Sequence, residues 1–305
     1  MNTLSLLLIN TPSSITEKIK WLVSNFRNGA IIKKRKFTSL KTPDKRNIWS
    51  DYRKHFHFVS EYYPSKNILK SPVVRKTMFD MNAPKQLIKS KHIKSAIEEI
   101  SLGIEKSFSV RKKLSKAWMS NFGSILEEAT NLDQNFENLI RANYFVEFGP
   151  GLGFNGKLIS LLYNSSPIFY DLPEITNVRS LVLKEYENYG KRNKQIPEEF
   201  SEINSFFKKI NKVQNFSFIS TWAFTETPLE IREKFFQIIN KSQVALIVSN
   251  PKFEDVDNYL YLEHLSKKLI NHKHIYRDLG FLKKSPKFLQ KHQLHLFLNQ
   301  TQSSI

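Results

Sequence analysis

The pattern of apolar and polar positions divides the chain near residue 140. Before it, helical spacing dominates. Ser14 and Glu17 have capping-box spacing, and Ile15, Ile19, Leu22, Val23 and Phe26 then fall on one helical face. Pro43, Pro64, Pro72 and Pro84 break residues 38–90 into short helices and loops. Longer helical patterns follow over 91–107 and 109–131. In the second, Leu114, Trp118, Phe122, Leu126 and Ala129 make an apolar stripe that reads as core or as a dimer interface.

From residue 144 the period changes. Tyr144 to Phe148 is a short strand-like run, followed by a glycine turn and a helical pattern from Phe154 to Tyr163. Ile168 to Tyr170 predicts a second strand and Leu172 to Tyr189 a second helix. Further strands are predicted at Phe216 to Ser220 and Val244 to Val248, with helices at Leu229 to Asn240 and over 256–271. Two strands, 274–282 and 292–299, close the chain without a helix between them. Alternating strands and helices predict parallel βαβ units, and the last two strands predict an antiparallel edge pair. The expected organisation is an α-helical N-terminal region over 1–135 and a Rossmann-like, mostly parallel α/β domain over 136–305.

Composition narrows this picture. The 305 residues include 40% hydrophobic positions, with 24 Phe and 11 Tyr, enough for a packed core and against a disordered chain. There is no cysteine, which excludes disulfide frameworks, thiolate metal sites and cysteine nucleophiles. The net charge is +19, of which +13 falls within residues 1–140 (25 basic against 12 acidic side chains). Lys33, Lys34, Arg35 and Lys36 form its densest basic cluster. Such a surface suits nucleic acid, anionic lipid or an anionic substrate. The bland explanation is compositional, because Lys, Asn and Ile are abundant together. The apolar run Leu4 to Ile9 is too short for a signal core or a spanning helix, and no later run approaches about 20 residues. A cytoplasmic location is therefore the expectation.

Only 9 glycines occur, and four of them are Gly149, Gly151, Gly153 and Gly156. The first three sit in Val146-Glu147-Phe148-Gly149-Pro150-Gly151-Leu152-Gly153, where a strand ends and a helix begins. Glycines there permit a tight turn and close approach of backbone to a ligand. Asp171 follows Gly149 by 22 residues, at the end of the second strand. In doubly wound sheets that position meets an adenosine ribose, where a carboxylate can accept from both hydroxyls. The spacing thus specifies an adenosine-bearing cofactor. Gly151-Leu152-Gly153-Phe154-Asn155-Gly156 also satisfies the dinucleotide pattern G-x-G-x-x-G, which keeps a nicotinamide oxidoreductase open.

The full Glu-Phe-Gly-Pro-Gly-Leu-Gly string resembles motif I of S-adenosylmethionine-dependent methyltransferases. Tyr170-Asp171-Leu172-Pro173-Glu174, followed by Leu181 to Tyr186, resembles a segment of the bacterial sugar O-methyltransferase family. Phe218 to Glu226 is similar to that family's stretch after the fourth strand. The likeness covers residues 144–250 and does not extend through 1–130. Asp-Leu-Pro also occurs in phenol-directed O-methyltransferases, so it specifies O-methylation better than sugar. The resemblance implies S-adenosylmethionine as cofactor and an O-methyltransferase acting on a sugar hydroxyl. It further implies that Glu147 orients the cofactor end, that Asp171 and Leu172 lie at the ribose, and that Thr221 and Trp222 border the cofactor.

For the base, two candidates stand. Glu226 follows the fourth strand, at the ligand-binding end of such sheets, although a carboxylate beside Pro228 also suits a helix start. His264, in the helix after the fifth strand, is the second. His272, His274, His292 and His295 have spacing that a metal could use, but no acidic partner accompanies them, so no metal is expected. Ser249-Asn250-Pro251-Lys252-Phe253 resembles the N-P-P-F motif of amine-directed nucleic-acid methyltransferases. It departs from that motif at Lys252 and follows the fifth strand instead of the fourth. With the basic charge, it keeps an RNA or DNA methyltransferase as the alternative. A glycan or small-molecule acceptor and a homodimer through the N-terminal helices complete the expected partners.

Overall fold

The computed structural model describes residues 48–77, 88–108, 110, 112–188, 196–279 and 291–302. The expected first helix, the cluster Lys33 to Lys36 and residues 280–282 of the expected penultimate strand lie outside the described residues. The described chain opens with helices α1 (Ile48–Tyr62), α2 (Pro72–Thr77), α3 (Lys91–Phe108), α4 (Lys112–Leu132) and α5 (Phe136–Ile140). Strand β1 (Tyr144–Phe148), helix α6 (Phe154–Tyr163), strand β2 (Ser166–Tyr170) and helix α7 (Pro173–Glu187) come next. Then follow β3 (Glu198–Phe200), α8 (Ile203–Ile210), β4 (Phe216–Thr221), α9 (Leu229–Lys241) and β5 (Val244–Ser249). A ribbon of β6 (Lys252–Phe253) and β7 (Val256–Asp257) leads into α10 (Asn258–Lys268), then β8 (His272–Asp278) and β9 (Gln293–Asn299).

Seven strands form one sheet in the order β3-β2-β1-β4-β5-β9-β8. The first five are mutually parallel, while β9 runs antiparallel to both β5 and β8. This is the Rossmann-like, mostly parallel sheet with an antiparallel edge pair that the alternation predicts. The order reverses between β1 and β4, a topological switch point, and ligands bind outside the carboxyl ends of strands there.

The two faces of the sheet are covered differently. Phe145, Phe169, Ile219, Leu246 and Leu296 pack beneath α3, α4, α6 and α7 in one cluster, which also takes Phe56, Ile97, Phe122, Leu126 and Ala129 from the N-terminal helices. Phe122, Leu126 and Ala129 of the α4 stripe are therefore buried in the chain's own core. Val146, Phe148, Phe218, Ile247 and Phe297 pack on the other face against Phe206, Phe235 and Leu262 of α8, α9 and α10. Two polar contacts fasten α1 and the turn after it to α7: Arg53 grips Glu174 with Nε and Nη2 at 2.8–3.0 Å, and Ser65 donates to Glu185 at 2.5 Å. Trp118 of α4 meets Phe154 edge-on at 5.9 Å, which brings the N-terminal helices to the first residue of α6. No helix among the described residues is long and apolar enough to cross a membrane.

Candidate functional site

The turn between β1 and α6 has three glycines at positive φ: Gly149 at 68°, Gly151 at 55° and Gly153 at 80°. L side chains rarely adopt such angles. Gly149 is further constrained from outside, because a Cβ there would lie 2.0 Å from the Cβ of Ala223. The turns after β1 and β4 thus touch, at the switch point.

Glu147 lies in β1 directly beneath this turn. It is buried, and among the described residues neither carboxylate oxygen has a hydrogen-bond partner. Burial pushes its pKa up to about 8, an effect that Arg179 offsets only in part and Asp171 adds to. An orphaned carboxylate in the interior is costly unless something satisfies it.

Asp171 stands where the second strand ends, as its spacing indicates. Leu172 N donates to its Oδ1 at 2.8 Å, and Gly151 N and Arg179 Nη1 donate to its Oδ2 at 3.3 and 3.0 Å. A carboxylate offers about four acceptor positions. Three are taken, so one acceptor position is left open, where the spacing argument expects two. Burial raises the Asp171 pKa, while Arg179 and the two backbone N–H groups oppose it. Leu172 is the N-cap of α7, with Pro173 in its first turn.

No sequence motif marks Arg179. It is fully buried, donates to the Gly151 carbonyl at 3.1 Å as well as to Asp171, and pairs with Glu199 at 3.4 Å. One guanidinium therefore ties the glycine turn to the acidic residue after β2. Its signal was a charged residue on the apolar stripe Ile175, Val178, Val182 and Leu183.

On the β4 side, Thr221 Oγ1 accepts from Asn155 of α6 at 3.5 Å, linking the two turns. Trp222 has φ of 69°, a region that strains a non-glycine residue, and its Nε1 donates to His292 Nδ1 at 2.6 Å. Glu226 closes the short 3-10 turn after β4. It is half-buried, accepts from Asn250 Nδ2 at 3.3 Å, and burial pushes its pKa up to about 7. Asn250 belongs to the resembling Ser249 to Phe253 segment, which the fold brings beside Glu226. His264 is placed elsewhere. It is exposed on α10, six residues and roughly 9 Å along the axis from Asn258, the end of that helix nearest Asn250. Of the two candidate bases, only Glu226 stands at the carboxyl edge of the sheet.

His274 and His295 form a pair on the antiparallel edge strands. His295 bonds Ser249 at 3.3 Å and His274 at 3.1 Å, and burial with the neighbouring His274 pulls its pKa down to about 3. Nothing acidic joins them among the described residues.

No protein-family model and no curated protein sequence matches the chain. Solved structures do. It is similar to the methyltransferase domain of bacterial CtHen1, at 10% identity over 58% of this chain and 97% of that one, with a TM-score of 0.41. It is also similar to magnesium protoporphyrin IX methyltransferase from Synechocystis, at 11% identity over 78% and 99%, TM-score 0.39. An rRNA methylase from Streptococcus thermophilus matches at 12% identity over 54% and 92%, TM-score 0.38. At these identities and scores the neighbours assign no activity to this chain.

Proposed function

We propose that this chain is an S-adenosylmethionine-dependent O-methyltransferase that methylates a sugar hydroxyl in glycan or surface polysaccharide biosynthesis. The observation that carries the cofactor reading is Glu147. A buried, unpartnered carboxylate below the glycine turn, with Asp171 beside it, suits a cationic adenosine-bearing cofactor and opposes the pyrophosphate of a dinucleotide. Glu147 would face the cofactor's positive end, Asp171 would accept one ribose hydroxyl, and Leu172, Thr221 and Trp222 would line its flanks. Gly149, Gly151 and Gly153 keep the turn low enough for backbone contact. When bound, the cofactor would supply a methyl carbon on a sulfonium, whose bond to sulfur would give way to the new bond with the acceptor oxygen.

The rest is done by the chain's own groups. A carboxylate held near pH 7 is matched to removing a hydroxyl proton, and Glu226 takes it. Such assistance is worth about 10²–10⁴-fold, and holding both reactants in line contributes about 7–11 kcal/mol at best. Region 1–135 would cover the acceptor, a role supported by the Trp118–Phe154 and Arg53–Glu174 contacts beside the site. A cytoplasmic enzyme, a homodimer and a glycan acceptor belong to this reading.

The sugar assignment rests on the resemblance of Tyr170–Glu174 and Phe218–Glu226, and a panel of free and nucleotide-activated monosaccharides with methyl-labelled S-adenosylmethionine tests it. Label transferred to a sugar, and lost in Glu226→Gln, is the expected result; transfer only to RNA, DNA or a phenol would overturn it. The RNA or DNA alternative is favoured by one observation, the +13 charge of residues 1–140. It requires binding whose log affinity falls by about 0.9 per phosphate per decade of salt on duplex DNA.

A further inference from the structure

Helix α9 buries Arg232 completely, yet no carboxylate pairs with it among the described residues. Its guanidinium donates to neutral acceptors: Thr227 O at 2.8 Å, Thr225 O at 2.6 Å and Asn258 Oδ1 at 2.8 Å. Tyr261 lies under it, ring centroid at 4.9 Å. Asn258, also fully buried, passes its amide on, with Nδ2 donating to Asn250 Oδ1 at 2.6 Å and to Asn250 O at 3.1 Å. Asn250 Nδ2 then donates to Glu226 Oε1 at 3.3 Å.

The direction of this chain is fixed by chemistry. A guanidinium has donors only, so Asn258 must turn its oxygen toward Arg232 and its NH₂ toward Asn250. Asn250 must in turn present its oxygen to Asn258, which leaves its NH₂ for Glu226. Oε1 of Glu226 is therefore always an acceptor, and any proton the side chain takes up goes on Oε2. That oxygen accepts no hydrogen bond among the described residues.

We infer that Arg232, Asn258 and Asn250 are positioning residues: a one-way hydrogen-bond chain that fixes the Glu226 carboxylate and makes Oε2 the oxygen receiving the acceptor's proton. The inference rests on the reading of Glu226 as the base. The proton would leave the acceptor hydroxyl for Oε2, and the oxygen's electron pair would form the new bond to the methyl carbon as the carbon–sulfur pair goes to sulfur. A donor to Oε1 favours the ionised carboxylate and so holds down a pKa that burial alone raises. Strands β4 and β5, which flank the turn, carry no titratable side chain, and Glu230 is exposed on α9. On the ribbon and the start of α10 the charged groups are the exposed Lys252, Glu254, Asp255 and Asp257.

Carbon-13 titration of the full chain labelled at glutamate Cδ tests the chain without any acceptor, with the Glu226 signal assigned by its loss in Glu226→Gln. Asn250→Ala removes the donor to Oε1 and should move the Glu226 midpoint up by about one pH unit. Asn258→Asp keeps an acceptor for Arg232 but removes the donor to Asn250, and should also shift the midpoint upward while the fold persists. An unchanged midpoint in whichever of the two variants folds would overturn the chain. Failure of the base reading looks different: Glu226→Gln would keep methylating the sugar panel while the midpoint shift in Asn250→Ala persisted.

Discussion

Among the described residues two arginines have no exposed surface, Arg179 and Arg232; they lie on opposite faces of the sheet and are used in opposite ways. Arg179 on α7 meets carboxylates, Asp171 and Glu199, and its charge is neutralised where it lies. Arg232 on α9 meets two backbone carbonyls and an amide oxygen, so its positive charge is left to polarise a chain ending at Glu226. The β1–β2 half of the site is thereby a fixed cradle and the β4–β5 half a polarised one. A buried cation beside acids makes geometry; beside neutral dipoles it makes a direction.

The largest effect should come from breaking these arginines. Arg179→Met leaves Asp171 as an uncompensated buried charge, which costs about 3–5 kcal/mol. The loss should ease as pH falls and Asp171 takes a proton. Arg232→Met strands three buried acceptors at about 1–3 kcal/mol each, with no carboxylate losing a partner, so its loss should not ease in acid. Urea denaturation of both variants from pH 4 to 8 reads the difference, and parallel pH profiles would erase the distinction drawn between the two halves.

Asp171→Asn keeps the volume and removes the charge offered to the ribose. Bonds to a charged acceptor are worth about 1.5–3 kcal/mol, so S-adenosylmethionine should bind roughly tenfold to hundredfold more weakly. Normal affinity in a folded variant would take Asp171 out of the cofactor site.

A smaller effect concerns Glu147. Its pKa is about 8 in the fold against an ordinary 4.5, so it binds a proton in the folded state that it lacks unfolded. The stability linked to that proton is complete below about pH 4.5 and is lost as pH rises through 8. Glu147→Gln should flatten the decline in Tm between pH 5 and 9, leaving a shallower slope from Glu226, whose midpoint is near 7. A wild-type Tm independent of pH across that window would show that Glu147 is ionised and partnered.

The smallest effect is expected from Lys33, Lys34, Arg35 and Lys36 changed together to Gln. None of the four belongs to the glycine turn or to the Asp171 segment, so S-adenosylmethionine affinity should hold. Any RNA binding should weaken, as a filter-binding assay would show; loss of sugar methylation along with it would favour the nucleic-acid reading.

Much of the fold was legible because βαβ alternation changes the apolar period at residue 144, and the glycine turn with Asp171 is local in sequence. Strand β3 was not legible: Glu198 to Phe200 is three residues long and has no apolar run to announce it. The candidate bases were only half legible. Sequence puts Glu226 first and His264 second, and the fold leaves Glu226 half-buried at the carboxyl edge of the sheet and His264 exposed on α10. The links that join Arg232 and Asn258 to Asn250 and Glu226 were hidden, because scattered polar residues carry no periodic signal. Their one trace is Arg232 on the stripe of Phe235, Ile238 and Ile239, the same anomaly that marks Arg179.

Titration calorimetry of the full chain with S-adenosylmethionine and with NADH, in two buffers of different ionisation enthalpy at pH 7, tests the central claim most directly. A cationic cofactor arriving at Glu147 should drive out its proton, because the group is mostly protonated below about pH 8. The account predicts saturable binding of S-adenosylmethionine with buffer-dependent heat from proton release, lost in Glu147→Gln, and no binding of NADH. Saturable binding of NADH with no heat from S-adenosylmethionine would contradict it.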